Sequence, residues 1–176
     1  MIIHVCLGQL NCFSKNNKDF YYITDVNKEF TYLVRYKIET GEKEVLFETN
    51  WDVMYSYLSE NEKYRVTAIN EDGKNTLLIR DIINNSDVYF PKIPDGDIKG
   101  ASFSESENKI RLTIGTSKSP NNIYVYDLNS KELKKLTETL NPEINANDLV
   151  SAEVVRYPSF DGLEIPAIYY KPLDAT

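Results

Sequence analysis

A single histidine, His4, is present in 176 residues. A serine-hydrolase triad uses histidine as its general base, and no lysine or metal-ligand spacing in this chain offers a substitute. His4 itself reads as a bystander in the unassigned start. Only two cysteines occur, Cys6 and Cys12. Their spacing fits neither a zinc pair nor a redox CxxC, so they read as two reduced thiols of a cytosolic protein. Basic residues are outnumbered, 20 Lys and Arg against 27 Asp and Glu, for a formal charge of −7. Nucleic-acid binding needs a basic face to displace counterions from phosphates, so a nucleic-acid partner is excluded, and an anionic membrane surface would repel the chain. No apolar run approaches the length of a membrane span. Residues 1–10 are apolar but have no basic lead and no small-residue cleavage site, and they read as a first strand or a start placed inside a longer gene. The expectation is a cytoplasmic protein with no cofactor, no metal, no nucleic-acid partner and no membrane partner.

What is abundant points to strands. Thirteen Tyr accompany seven Phe, hydrophobic residues make up 41% and charged residues 27%. That balance belongs to a folded globular chain, and aromatic and β-branched side chains suit a half-buried pleated surface.

An internal repeat settles the fold class as all-β. One unit is an apolar strand, a polar turn and a second strand ending in a large apolar residue. It occurs as 33–38, turn at Thr40-Gly41, then 45–47; as 77–82, turn at Asn84-Asn85, then 88–90; and as 123–128, turn at Asn129-Ser130, then Leu133 and Leu136. The starts lie 44 and then 46 residues apart. Gly and Asn tolerate the positive φ that such hairpins need. A further strand pair precedes each of the last two hairpins: 55–59 with 64–69, and 100–104 with 110–114. Four short strands in about 45 residues is the pattern of a propeller blade. The first unit reads as incomplete, with residues 20–23 supplying one strand, so the count is about two and a half four-stranded blades. A short open array of this kind leaves apolar flanks exposed, which predicts either a partner or self-association through the open blade edges.

Past Leu136 the pattern changes. Residues 137–148 form a polar connector with Pro142 and turn formers, the composition of a domain boundary. Two strands follow, 152–157 and 163–170, joined through Ser159-Phe-Asp-Gly162; Asp-Gly is a strong hairpin signal. Pro166 lacks an amide hydrogen, so its strand is predicted at an edge or paired on one side.

Ser159-Phe-Asp-Gly-Leu-Glu-Ile-Pro-Ala-Ile-Tyr-Tyr-Lys-Pro172 resembles the start of the α/β-hydrolase domain in the prolyl oligopeptidase family of serine peptidases. Upstream, 70–73, 122–128 and 136–142 resemble the last blades of that family's propeller and its linker. The Ser-Pro-Asp-Gly common at the family's blade turns is replaced here by Ser59-Glu-Asn-Glu62 and Ser104-Glu-Ser-Glu107. The resemblance implies a division into an unassigned start (1–18), a partial β-propeller (19–140), a linker (141–151) and the first strands of a truncated α/β-hydrolase domain (152–176). It implies a propeller that caps a Ser-Asp-His hydrolase and gates a peptide substrate, with the triad beyond Thr176. The hydrolase domain is then expected in cis or as a separate chain. The paired glutamates by which dipeptidyl-peptidase relatives hold a substrate amine have no counterpart, since no two glutamates are adjacent.

Several features within the chain approximate sites that carry chemistry. Gly115-Thr-Ser117-Lys-Ser119 approximates a nucleophile elbow, but an elbow needs a very small residue at both flanks and a following helix. Ser119, Pro120 and a strand stand there instead, so a polar inter-strand loop is predicted. The carboxylate pairs Glu42/Glu44, Glu60/Glu62 and Glu105/Glu107 could share a strand face as a glycosidase pair might, yet all lie at blade turns, where they read as a solvated rim. Asp95-Gly-Asp97 supplies too few ordered oxygens for a calcium loop and reads as a turn. Trp51 reads as a packed aromatic at the start of a blade. No catalytic, cofactor-binding or metal residue is assigned. The reading is therefore a non-catalytic piece of a peptidase, with a propeller-type interaction module, completed by oligomerisation or a second chain, as the alternative.

Overall fold

The computed structural model of the chain describes residues 10–91, 93 and 96–175. Among them are strands, turns and one 3₁₀ turn at Ala146–Asp148, and no α-helix. Three antiparallel four-stranded sheets follow each other along the chain, each a meander in sequence order. The first comprises β1 (Leu10–Phe13), β2 (Asp19–Thr24), β3 (Tyr32–Lys37) and β4 (Lys43–Phe47). The second comprises β5 (Asp52–Leu58), β6 (Tyr64–Glu71), β7 (Lys74–Asp81) and β8 (Ser86–Asp87). The third comprises β9 (Asp97–Phe103), β10 (Lys109–Thr116), β11 (Ser119–Asp127) and β12 (Leu133–Lys135). A two-stranded hairpin, β13 (Ala152–Pro158) and β14 (Glu164–Tyr170), completes the described chain.

The repeat is built at the level of individual hydrogen bonds. Ser14, Ser59 and Ser104, each 45 residues from the next, open the turn between the first and second strands. Their Oγ atoms accept from the amides of Asp19, Tyr64 and Lys109 at 2.9, 2.9 and 3.2 Å. Their carbonyls accept from Asn17, Glu62 and Glu107, which all take left-handed φ of 55–56°. The outer turns repeat as well: Gly41, Asn85 and Lys131 occupy one position, at φ 73°, 50° and 63°. A further bond closes each sheet, from the amides of Ile38, Ile82 and Leu128 to the carbonyls of Lys18, Lys63 and Asn108 at 2.8–2.9 Å.

Two expectations shift. The first unit is not partial: β1 pairs with β2, so its sheet has four strands and begins at Leu10, ahead of residue 19. Its turn, Ser14-Lys-Asn-Asn-Lys, lacks the apolar alternation that marks a strand, which hid the copy. The strand predicted at 88–90 forms instead at Ser86–Asp87, because the ladder starts directly after the turn; Val88 adds one more bond to Ile79 O at 2.8 Å.

The described chain divides into two compact units. The first unit holds the first two sheets, whose shared core is Ile23, Leu33, Val53 and Ile69 with Leu46, Phe47 and Trp51 packed against it. These are inward positions of strands that alternate, so burial follows from the pleat. The second unit holds the third sheet, the hairpin and the turn residues Asp72–Lys74. In β10 the alternation is plain: Ile110, Leu112 and Ile114 are buried while Lys109 and Arg111 are exposed. The ladder bulges on both sides of Ile114, and Gly115 follows because a Cβ there would meet Asn121 Oδ1 at 2.5 Å.

The connector after β12 is anchored by Asn122, 1% exposed. Its Nδ2 donates to Ser119 Oγ (2.8 Å) and Pro120 O (3.1 Å), and its Oδ1 accepts from the Thr137 hydroxyl (3.1 Å) and the Thr139 amide (3.0 Å). All of its bonding capacity is used, as a buried amide requires. The hairpin runs in unbroken register from Ala152↔Tyr170 to Pro158↔Glu164. Gly162 takes φ 85° in its turn, and Pro166 sits in a strand paired on one side only.

Candidate functional site

Ser117, the centre of the elbow-like segment, lies between β10 and β11, a strand-turn-strand setting. Its Oγ accepts the amide of Ala152 at 3.0 Å. The hydroxyl thus fastens the hairpin to the third sheet rather than standing free at a strand-to-helix turn.

Beneath that contact lies a half-open cleft of about 440 Å³, lined by Lys99, Ser117, Asn121, Val154, Ile168 and Tyr170 among others. Arg156 on β13 donates to Asp72 Oδ1 at 2.5 Å, within the same unit. Donating this hydrogen bond to the Asp72 carboxylate lifts the Arg156 guanidinium above its ordinary pKa. The cleft mixes apolar walls with hydroxyls, one amide and lysine; Asp97, also on its lining, pairs with Lys99.

Two of the carboxylate pairs are engaged by cations or amides. Glu42 binds Lys37 at 2.8 Å, which lowers its pKa, and Glu44 binds Arg35. Glu60 pairs with Lys15 at 3.2 Å, and Glu62 Oε1 accepts the Lys15 amide at 2.5 Å. Glu107 corrects the rim reading: it is 3% exposed, whereas Asn17 and Glu62, at the same turn position and the same left-handed φ, are exposed and half-buried. Trp51 packs against the first unit's core as expected, and Asp52 beside it accepts from the Thr31 amide at 3.0 Å. Cys12 is a half-buried free thiol whose pKa is raised, chiefly by burial. His4, Cys6 and Asp95 lie outside the described residues. Among the described residues no group of three His, Cys, Asp or Glu could hold a metal ion, and no helix is long and apolar enough to cross a membrane.

Sequence reasoning missed a row of arginines in the first unit. Arg35 on β3 pairs with Glu44, and Arg80 on β7 pairs with Asp87 at 2.8 Å and with Asn85. Among the described residues, Arg65 on β6 donates from Nη2 to the Leu46 carbonyl at 3.4 Å. Burial, then the neighbouring charge of Arg80, push the Arg65 guanidinium below its ordinary pKa. The three residues come from three different strands, β3, β6 and β7.

No protein-family model matches the chain, and no curated protein does. Solved structures do. A structure from a mechanistic study of two prolyl endopeptidases, concerned with inter-domain dynamics in catalysis and specificity, matches 95% of this chain and 24% of its own, with a TM-score of 0.71 and 13% identity. Prolyl oligopeptidase B from Galerina marginata, without ligand, matches 96% of this chain and 25% of its own, with a TM-score of 0.71 and 18% identity. The same enzyme bound to a 35mer hydrolysis and macrocyclization substrate matches 90% and 23%, with a TM-score of 0.69 and 19% identity. The chain spans about a quarter of the length of these solved chains, and the similarity falls on their propeller part. At these identities the likeness establishes the fold: all-β, a partial propeller.

Proposed function

We propose that this chain is a propeller segment of a prolyl-oligopeptidase-like serine peptidase of the cytoplasm, together with the first hairpin of its hydrolase domain. The observation that carries the reading is the order of parts: three consecutive four-stranded meanders, then a polar connector, then the β13–β14 hairpin. The hairpin has no use in a propeller alone, and the match to prolyl oligopeptidase chains spans 95% or more of the sequence in two cases. The hydrolase domain, in cis or as a separate chain, supplies the serine nucleophile, its histidine base and the carboxylate that orients it. The segment contributes to the wall of a substrate chamber and to the gate that admits peptides. It performs no acyl transfer by itself, since the nucleophile, base and orienting carboxylate belong to the hydrolase domain.

A fluorophosphonate probe and a chromogenic prolyl peptide, applied to the purified chain, test the non-catalytic part. The expected result is neither labelling nor turnover. Stoichiometric labelling of any serine would overturn it.

A further inference from the structure

The first and last of the three four-stranded sheets each present an exposed side, and the two sides differ in character. Residues opposed in an antiparallel ladder point to the same side of a sheet. In the first sheet one side holds Phe13, Phe20, Tyr22, Val34, Tyr36 and Val45. The Phe13 and Tyr22 rings lie 5.2 and 5.6 Å from that of Phe20, and Phe13 and Val45 are 60% and 49% exposed. The opposite side, with Ile23 and Leu33, packs against Val53 and Ile69 of the second sheet. In the third sheet, the side away from the buried Ile110, Leu112 and Ile114 holds Arg111, Thr113, Ile123, Val125 and Lys134, with Gly100 facing Thr113. Ile123 is 37% exposed, and a Cβ at Gly100 would meet nothing within 4 Å. A glycine inside a strand weakens it, and nothing in the packing of the described chain requires one there. Such a residue marks close approach by another surface.

The repeat identifies what fits these sides. Ile23 opposes Leu33, and 90 residues further on Thr113 opposes Ile123. The exposed side of the third sheet is therefore the counterpart of the side by which the first sheet packs against the second. Ile69, which receives that packing, has its own counterpart 45 residues earlier in Thr24, next after Tyr22 on the aromatic side. We propose that two copies of this chain associate head to tail, the aromatic side of each first sheet docking on the Thr113–Ile123 side of the other copy's third sheet. The contact reproduces between chains the one that the first and second sheets make within a chain. Its chemistry is complementary: bulky rings meet the hollow at Gly100, and Arg111 and Lys134 meet ring faces that attract cations. Three sheets per copy give six in the pair, within the four to eight at which propellers close. The proposal rests on the propeller fold and not on the peptidase reading.

Sedimentation velocity over a dilution series tests the proposal, with circular dichroism to confirm that each variant folds. The native chain should run as a dimer that dissociates to monomer on dilution. Phe13→Glu on one side and Ile123→Glu on the other replace exposed side chains, so each should fold and raise the dimer Kd ~10-fold or more. Gly100→Leu should fold at least as well as the native chain, because the space is open and a strand favours a side chain over none, yet it should weaken the dimer to a similar degree. Should either glutamate variant fail to fold, Gly100→Leu decides. Mixing Phe13→Glu with Ile123→Glu should restore a dimer, since each copy supplies the side that the other lacks. Association through like sides gives no such rescue. A native chain that stays monomeric throughout, or that forms an open ladder of larger species, would overturn the proposal. So would a dimer unchanged in the variants, or a mixture of the two that remains monomeric.

Discussion

Arg156 and Asp72, 84 residues apart in the chain, meet in an ion pair at 2.5 Å. Asp72 sits with Gly73 in a tight turn at φ 52° and 77°, and Ile168 Cδ1 lies 3.4 Å from where a Gly73 Cβ would stand. With the Ser117–Ala152 bond, the hairpin is held at two separated points of the second unit.

Removing the charge at one of those points should loosen the hairpin alone. Asp72→Asn keeps a residue that tolerates left-handed φ while deleting the ion pair. Faster amide exchange across Ala152–Tyr170, with β10 and β11 unchanged, is expected by hydrogen-exchange mass spectrometry. High salt should mimic the variant, since exposed pairs are screened.

Asn122 should be among the least replaceable polar residues in the second unit. Asn122→Ala strands the Thr137 hydroxyl and the Thr139 amide and opens a void. The expected cost is about 2–3 kcal/mol, from lost hydrogen bonds to a buried group. Urea unfolding measures it, and a change under 0.5 kcal/mol would count against the anchoring role.

The outer turns make opposite predictions at equivalent positions. Lys131 holds φ 63° with a side chain, whereas Gly41 holds φ 73° without one. Lys131→Gly should stabilise and Gly41→Ala destabilise, each by roughly 1 kcal/mol, because left-handed backbone crowds a Cβ. A differential scan of both variants would show Tm moving in opposite directions.

Acid should release the third sheet's outer turn. Lys109 first, then the amides of Ser130 and Asn129, hold the Asp127 carboxyl down to about 2 from an ordinary 3.8. A carboxyl lowered in the folded state stabilises it above the unfolded value, and that contribution fades as pH falls from about 4 toward 2. The Asn129 and Ser130 amide resonances should shift in that window. Asp127→Ala should abolish the pH dependence of the turn while leaving β10 intact. The Asp81 carboxyl, bound by the Asn84 amide in the second sheet's matching turn, is lowered in the same direction.

Much of the fold is legible in the sequence because the outer hairpins carry their signal in apolar residues: Leu33, Leu77 and Ile123 stand at near-constant spacing. The first sheet's opening strand was not, although Ser14 stands 45 residues before Ser59. That copy is written in one serine hydroxyl and a left-handed Asn17, which hydrophobic periodicity does not register. The inward turn of Glu107 was hidden for a related reason. A carboxylate in a polar turn reads as solvated until the packing around it is known. The Arg65 environment needed the packed sheets, since no motif links residues 35, 65 and 80.

The most direct test of the central claim is the nucleotide sequence on either side of this reading frame. The account predicts a segment encoding Gly-x-Ser-x-Gly followed by Asp and His, either continuous with the frame or in a neighbouring one. Flanking DNA that encodes no hydrolase would contradict it and leave a propeller module that must be completed by some other chain.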